Sequence, residues 1–271
     1  MQTLTSEPAV SLCDANQVRA AHATTTAELA DLLRGLSSTT AKADRLTWTV
    51  GETAAHLVLA HRLYVEFAGG VRTPWSAHEI GTHNADLISQ LPERRGPALA
   101  DLLLEAADAF RTTTAGYAGE SLPWYDGKKL TTASMTAVLL GEELVHGRDI
   151  ARGAHLPWNI TPQAARLVIG GVAPVLPQFV NMDTARGVTA TYAIQVRGGP
   201  RFAAEFRAGM LRISAEPRGA VDCHILADPV AFLLVAYGRV NQWQPILRGQ
   251  LLAWGRRPWL GLRFKGLLNN P

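Results

Sequence analysis

Three side chains that could bind one divalent metal ion lie in two stretches of helical periodicity. Glu142 and His146 are four residues apart, so a helix projects both from one face. Asp149, seven residues after Glu142, falls on the same face, which continues the apolar stripe of the preceding turns. Burying such groups without partners costs roughly several kcal/mol, and a bound metal ion is one way to offset that cost.

His56 occupies a similar position on an earlier predicted helix. Leu59, Leu63 and Phe67 share its side of that helix, so we expect the imidazole to face inward. His61 is five residues further on, rotated by about 140° around the helix axis, and is predicted to lie at the surface. Two inward-facing helices can therefore bring His56 against the Glu-x-x-x-His pair.

This ligand set combines nitrogen and oxygen donors and leaves coordination positions open, which is typical of a catalytic zinc site. Nickel or iron would also tolerate it. Spacing alone leaves other interpretations open. An inward His can be a hydrogen-bonded core residue, and a Glu-x-x-x-His pair can be solvated on a helix surface. His78 and His83 could also supply a ligand, although their five-residue spacing keeps them off a common face.

Composition limits the classes of protein that need consideration. A chain of 271 residues suits two domains of ordinary size, and 47% hydrophobic against 18% charged residues can build a buried core. The net charge of +3 comes mostly from dispersed arginines, without a basic stripe or interleaved aromatic residues. We therefore expect no nucleic-acid partner, despite a pI near 9.1.

Cysteine usage and hydropathy favour a cytoplasmic protein. Cys13 and Cys223 are far apart, so a disulfide framework is not expected and a reducing compartment fits. The first twenty residues lack the apolar core of a signal peptide. The longest apolar stretch contains Arg166, Pro174 and Pro177, which argues against a membrane span.

Capping signals and periodicity divide the chain into a helical part, residues 1–184, and a smaller α+β part, residues 185–271. Thr49 with Glu52, and Ser76 with Glu79, form capping boxes at predicted helix starts. Helices are predicted over about 14–35, 49–69, 76–92, from 97, 131–153 and from 161, with a loop around 123–127. Strands are predicted over 188–196, 201–207, 211–215, 221–227 and 250–254, with helices over 228–237 and 257–268.

Two motifs resemble the mycothiol-dependent maleylpyruvate isomerase family. The segment W-T-V-G-E-T-A-A-H-L at 48–57 resembles the family pattern W-x-V-x-E-x-x-A-H-L, and E-E-L-V-H-G-R-D-I at 142–150 resembles E-x-x-x-H-x-x-D-L. The resemblance implies a DinB-like four-helix bundle in which His56, Glu142 and His146 bind the metal. It also implies a role in activity for Asp149.

The C-terminal part is similar to the small α+β domain, related to sterol-carrier folds, that follows such bundles. Asp228-Pro229 and Tyr237-Gly238-Arg239 resemble its helix and the "GR" signature after it. By this resemblance Arg239 is the candidate residue for binding substrate or thiol. The segment Trp254–Trp259 departs from the family pattern, which leaves the substrate open.

The resemblance implies an enzyme of actinobacterial type that uses mycothiol. An open metal position would bind the thiol as its nucleophilic thiolate, which could add to an activated alkene, epoxide or halide. In this interpretation Asp149 orients a ligand histidine or relays a proton, and Arg239 holds a substrate carboxylate. The expected protein is a monomer or weak dimer acting as an isomerase or an S-transferase on a small electrophile.

Two further classes of function stay open. One is a carrier of small molecules or lipids whose C-terminal domain binds an apolar ligand and whose metal site is not catalytic. The other is a regulatory, anti-sigma-type protein with a zinc-bearing bundle, which ranks last because the chain lacks the Cys ligands of such a redox switch.

Overall fold

Hydroxyl and carboxylate caps set the starts of most helices in the N-terminal part. The computed structural model describes residues 12–117 and 120–269, apart from the side chain of His78. Asp14 accepts hydrogen bonds from two backbone N–H groups ahead of α1, and Thr49 forms a complete capping box with Glu52 ahead of α2. Thr131 and Thr161 cap α5 and α6. The helices are α1 (Ala15–Arg34), α2 (Val50–Ala68), α3 (Ile80–Gln90), α4 (Gly96–Thr114), α5 (Thr132–Gly153), α6 (Pro162–Val172) and α7 (Met182–Ala185).

Helices α1, α2, α4 and α5 form a four-helix bundle, in which α1 and α2 each pack against both α4 and α5. The predicted helix starts are confirmed, and a short 3-10 turn precedes α3 at its capping box. The predicted loop around 123–127 connects the strands of a small hairpin, β1 (Ser121–Pro123) and β2 (Lys129–Thr131), and contains a 3-10 turn at Tyr125–Gly127. The bundle interior is apolar: Leu29, Leu33, Val50, Leu57, Val58, Leu99, Leu103 and Ile150.

The C-terminal part is a five-stranded sheet with helices packed on it. Its strands are β3 (Ala190–Val196), β4 (Arg201–Arg207), β5 (Met210–Ser214), β6 (Cys223–Ala227) and β7 (Leu251–Trp254). They lie in the order β5-β4-β3-β6-β7, with β3 and β6 parallel and the other neighbouring pairs antiparallel. The helices of this part are α8 (Pro229–Ala236), α9 (Trp243–Leu247) and α10 (Leu260–Arg263).

The predicted terminal helix is shorter than expected. Only α10 and a following 3-10 turn at Phe264–Leu267 form within the predicted range of 257–268. Gly261 lies in α10 and Gly266 in the 3-10 turn, and glycine disfavours a long α-helix because it gives up more backbone freedom on folding. Within the described residues, none of the helices has the length and apolar character required to cross a bilayer.

Helix α8 packs against α6 and so joins the sheet domain to the bundle. The contact brings Tyr237, at the end of α8, over Gly141 of α5. A Cβ atom at Gly141 would lie 2.4 Å from the Tyr237 hydroxyl oxygen and 3.0 Å from Val168. Glycine at position 141 therefore permits the close approach that places the end of α8 beside the bundle.

Replacing Gly141 with alanine is expected to destabilise the protein by about 1–3 kcal/mol, because the added methyl overpacks this contact. Urea denaturation measures the change. The matched control is Gly81→Ala in the first turn of α3, where an added Cβ meets no atom within 4 Å. That variant should lose nothing and gain up to about 1 kcal/mol. Equal stability of Gly141→Ala and wild type would contradict this packing.

Candidate metal centre

Helices α2 and α5 bring together the three side chains that the sequence predicts as metal ligands. His56 Nε2 lies 3.3 Å from Glu142 Oε2, and His146 Nε2 lies 3.4 Å from the same oxygen. All three ligand atoms are within 4.8 Å of one another. Neighbouring donors around a tetrahedral zinc ion are separated by about 3.3 Å, given Zn–N and Zn–O bonds of roughly 2.0 Å. The donor set and its spacing therefore fit one divalent ion.

Asp149 fixes the orientation of the His146 ring. Its Oδ2 lies 3.2 Å from His146 Nδ1, so Nδ1–H donates to the carboxylate. In the neutral form of the ring, Nε2 then carries the lone pair, and it faces the side where Glu142 and His56 lie. Metal-binding histidines commonly hold their other ring nitrogen against a carboxylate in this way, which fixes the tautomer and strengthens the ligand.

Arg239 reaches Asp149 because of how α8 ends. Gly238 has a φ of +70°, its N–H donates to Val235 O at 3.1 Å, and Arg239 N–H donates to Leu234 O at 2.8 Å. These are the two hydrogen bonds of a Schellman turn, in which glycine takes the left-handed position. The turn sends the chain back to the bundle, so the Arg239 side chain lies beside α5.

The Arg239 guanidinium donates a pair of hydrogen bonds to the Asp149 carboxylate. Nε donates at 2.9 Å and Nη2 at 2.7 Å to Asp149 Oδ2, while Nη1 donates to Tyr237 O at 2.7 Å. Arg148 Nη1 lies 3.7 Å from Asp149 Oδ1. Since the Asp149 side chain is fully buried, these cations and His146 compensate its charge.

The charges of the cluster shift its pKa values in opposite directions. Burial opposes ionisation of Glu142 and Asp149, but hydrogen bonds from the histidines and from Arg239 outweigh it and lower both carboxyl pKa values. Burial also opposes the charge of His146, yet Asp149 and Glu142 together raise its pKa. For His56 burial prevails, so its pKa is lowered and the neutral, ligand-competent imidazole is favoured.

The three side chains open onto a cavity of about 280 Å³. Its walls are largely aromatic and aliphatic, with Arg239 as a cation at one side. Trp48 packs on His56 with 5.1 Å between ring centroids. The volume is at the lower end of the range for small-molecule sites, and a few polar groups in an apolar wall are typical of such sites.

Sequence reasoning missed Tyr237 as a residue of this cavity. Its hydroxyl is buried and has no hydrogen-bond partner within the described part of the chain, and burial together with the Glu142 charge raises its pKa well above the usual value. The phenol therefore stays protonated and can donate. The signal was its position two residues before Arg239, but the contact with α5 depends on tertiary packing.

The prediction for His61 is wrong. The side chain is fully buried rather than exposed, because it points into the bundle and meets His22 of α1 there. His61 meets His22 and Glu143 in a second group of potential ligands. His83 stacks on Trp75 outside the first group, and the His78 side chain lies outside the described residues.

The fold and site define a protein whose four-helix bundle carries a candidate metal centre next to an α+β domain. Residues 18–151 match the family model described as mycothiol maleylpyruvate isomerase N-terminal domain. Over these residues, the chain belongs to this family.

Solved structures agree with this fold. The crystal structure of the mycothiol-dependent maleylpyruvate isomerase is 13% identical, with 89% of this chain and 92% of that chain covered and a TM-score of 0.51. A variant of that isomerase with one histidine changed to alanine is 10% identical, with the same coverage and a TM-score of 0.52. At these identities the likeness establishes the fold alone. Comparison with curated proteins gives no match.

Proposed function

We propose that this protein is a metal-dependent enzyme that uses mycothiol to isomerise, or to conjugate, a small electrophilic substrate. The observation that carries the proposal is the convergence of His56, Glu142 and His146 at one cavity, with Asp149 orienting the last of them. Family membership supports the choice of mycothiol as the thiol.

His56, Glu142 and His146 would hold the divalent ion, with zinc the best match to their donor set. An ion of this kind, when bound with an open position, lowers the pKa of a coordinated thiol and so supplies the nucleophilic thiolate. Asp149 keeps the Nε2 lone pair of His146 available as a ligand. Trp48 covers His56 with an apolar ring and limits access of water to that side.

Arg239 has two roles in this proposal. It holds Asp149 in place, and it carries a positive charge into the cavity wall. The hydrogen bonds to Asp149 and Tyr237 leave Nη1 with a second N–H that can donate to a ligand carboxylate. A substrate that carries a carboxylate near its reactive carbon therefore suits the cavity, as does the thiol cofactor through its own polar groups.

Product analysis separates isomerisation from S-transfer, because isomerisation returns the thiol and transfer consumes it. Zinc-loaded protein is incubated with mycothiol and either maleylpyruvate or a panel of activated alkenes, epoxides and halides, followed by NMR. The expected result is turnover that needs both mycothiol and metal. Absence of any mycothiol-dependent product across the panel, from protein shown to contain zinc, would overturn the proposal.

Replacing Tyr237 with phenylalanine is expected to lower kcat/KM by roughly 10- to 100-fold, because the cavity loses a hydrogen-bond donor. Stability should be unchanged or slightly higher, since the removed hydroxyl is buried without a partner in the described residues. Steady-state kinetics and urea denaturation measure the two effects. A loss of stability with unchanged kinetics would show that the hydroxyl serves packing only.

A second candidate function is the binding of an apolar ligand, favoured by a cavity of about 400 Å³ between the C-terminal domain and α6. It lies between α6, α8 and the sheet, and Val168, Phe202, Ile225 and Leu233 are among its apolar lining residues. A lipid that co-purifies with metal-free protein would support a carrier. Release of that lipid by Leu233→Trp, which fills the cavity, would place it there.

We further propose a domain boundary in the connection between α7 and β3, residues 186–189, close to the predicted position 184. The protein is proposed to act in the cytoplasm as a monomer or weak dimer, since a chain with only two cysteines suits a reducing compartment and its candidate site is built from one chain.

A further inference from the structure

A second cluster of ligand-type side chains lies inside the bundle, apart from the candidate metal centre. It joins His22 of α1, His61 of α2 and Glu143 of α5. His22 Nε2 is 3.0 Å from His61 Nε2 and 3.5 Å from Glu143 Oε1, and His61 Nε2 is 3.3 Å from Glu143 Oε1. These separations are close to the 3.3 Å or so expected between donors around a tetrahedral ion.

The surrounding hydrogen bonds suit two of the three side chains, His61 and Glu143, as metal ligands. His61 Nδ1 lies 2.8 Å from Leu57 O, so Nδ1–H donates to this carbonyl and Nε2 keeps its lone pair. Thr26 Oγ1 donates to Glu143 Oε1 at 2.6 Å. Partners of this kind, a backbone carbonyl for histidine and a donor for the carboxylate, are those that hold metal ligands in place.

One carboxylate oxygen of Glu143 lacks a hydrogen-bond partner among the described residues. Its Oε2 is buried and makes no hydrogen bond within the described part of the chain, and the side chain is fully buried. Native proteins rarely leave a buried carboxylate oxygen without a partner, because desolvation is not repaid. The unpartnered oxygen points to a ligand that is bound between the three side chains.

We propose that His22, His61 and Glu143 form a second, structural site for a divalent transition-metal ion. The two imidazoles give one donor each, and Glu143 gives both carboxylate oxygens, so four donors come from the protein. The ion links three helices of the bundle. A site closed by protein donors is typical of structural zinc.

The second site is separate from the first. Glu142 and Glu143 are adjacent on α5, so they project about 100° apart around the helix axis. The first group opens onto the 280 Å³ cavity, whereas the side chains of His22, His61 and Glu143 are at most 6% exposed. Substrate therefore has no access to the second site, and its metal acts on stability.

Metal stoichiometry of the full-length protein tests the proposal. Wild type, His56→Ala, Glu143→Gln and the double variant are refolded with zinc, dialysed against a weak chelator and assayed by mass spectrometry. Glu143→Gln is close to isosteric and keeps the oxygen that accepts from Thr26. The expected contents are about two equivalents for wild type, one for each single variant and none for the double variant.

The design separates the second site from the proposed function. If the first site bound no metal, wild type and His56→Ala would both hold one equivalent, and Glu143→Gln would lose it. Refolding with zinc, compared with a strong chelator, should raise the Tm of His56→Ala but not of the double variant. Equal zinc contents in Glu143→Gln and wild type, or no effect of zinc on the Tm of His56→Ala, would overturn the second site.

Discussion

Replacing His56 with alanine is expected to remove one equivalent of metal and to lower mycothiol-dependent turnover by roughly 1,000-fold or more. His56 is one of three protein donors and the only one on α2. Its loss leaves Glu142 and His146 alone on α5, which reduces the affinity for the ion. Metal-ion catalysis supplies several kcal/mol, and each 1.4 kcal/mol or so is tenfold in rate.

The matched control for this variant is His224→Ala. It removes an imidazole that stacks on Trp254 in the C-terminal sheet, away from the candidate centre. This variant should keep the metal content and the turnover of wild type. The account is contradicted if His56→Ala retains full metal content and full turnover under the same conditions.

Replacing Asp149 with asparagine is expected to cost about 3–5 kcal/mol of stability, the range for breaking a buried ion pair from one side. The Arg239 side chain is only 13% exposed, so loss of the carboxylate leaves its charge without the forked acceptor. Urea denaturation measures the loss. Asp101→Asn removes an exposed partner of Arg34 and should change stability by less than about 1 kcal/mol.

A double variant tests whether Asp149 and Arg239 stabilise the protein as an ion pair. Asp149→Asn with Arg239→Met removes both charges, so it should be more stable than Asp149→Asn alone. Turnover should stay low in the double variant, since His146 loses the negatively charged acceptor of its Nδ1–H. If Asp149→Asn alone unfolds at the same urea concentration as wild type, Asp149 does not hold Arg239 as described.

Helix positions could be predicted from the sequence because their signals are local. The capping box of Thr49 with Glu52 and the threonine before α5 marked helix starts within one or two residues. The spacing of Glu142 and His146 placed both on one face. Recognition of the two motifs then supplied the pairing of α2 with α5, which helical spacing by itself does not specify.

The burial of His61 and the position of Tyr237 could not be predicted from the sequence, because both depend on contacts between distant segments. The sequence predicts a surface position for His61 because a single apolar stripe indicates one buried side of α2. That helix packs against both α4 and α5, and His61 meets His22 of α1 inside the bundle, so a side chain outside the stripe is also buried. Tyr237 joins the cavity only because α8 packs on α6 and Gly141 lacks a side chain. Neither contact leaves a local sequence pattern.

Anomalous diffraction at the zinc edge, from crystals of zinc-loaded protein, tests the candidate centre most directly. The account predicts a strong peak about 2.0–2.2 Å from His56 Nε2, His146 Nε2 and a carboxylate oxygen of Glu142. A map with no peak between these three side chains, from protein that contains zinc in solution, would contradict the assignment of the metal centre.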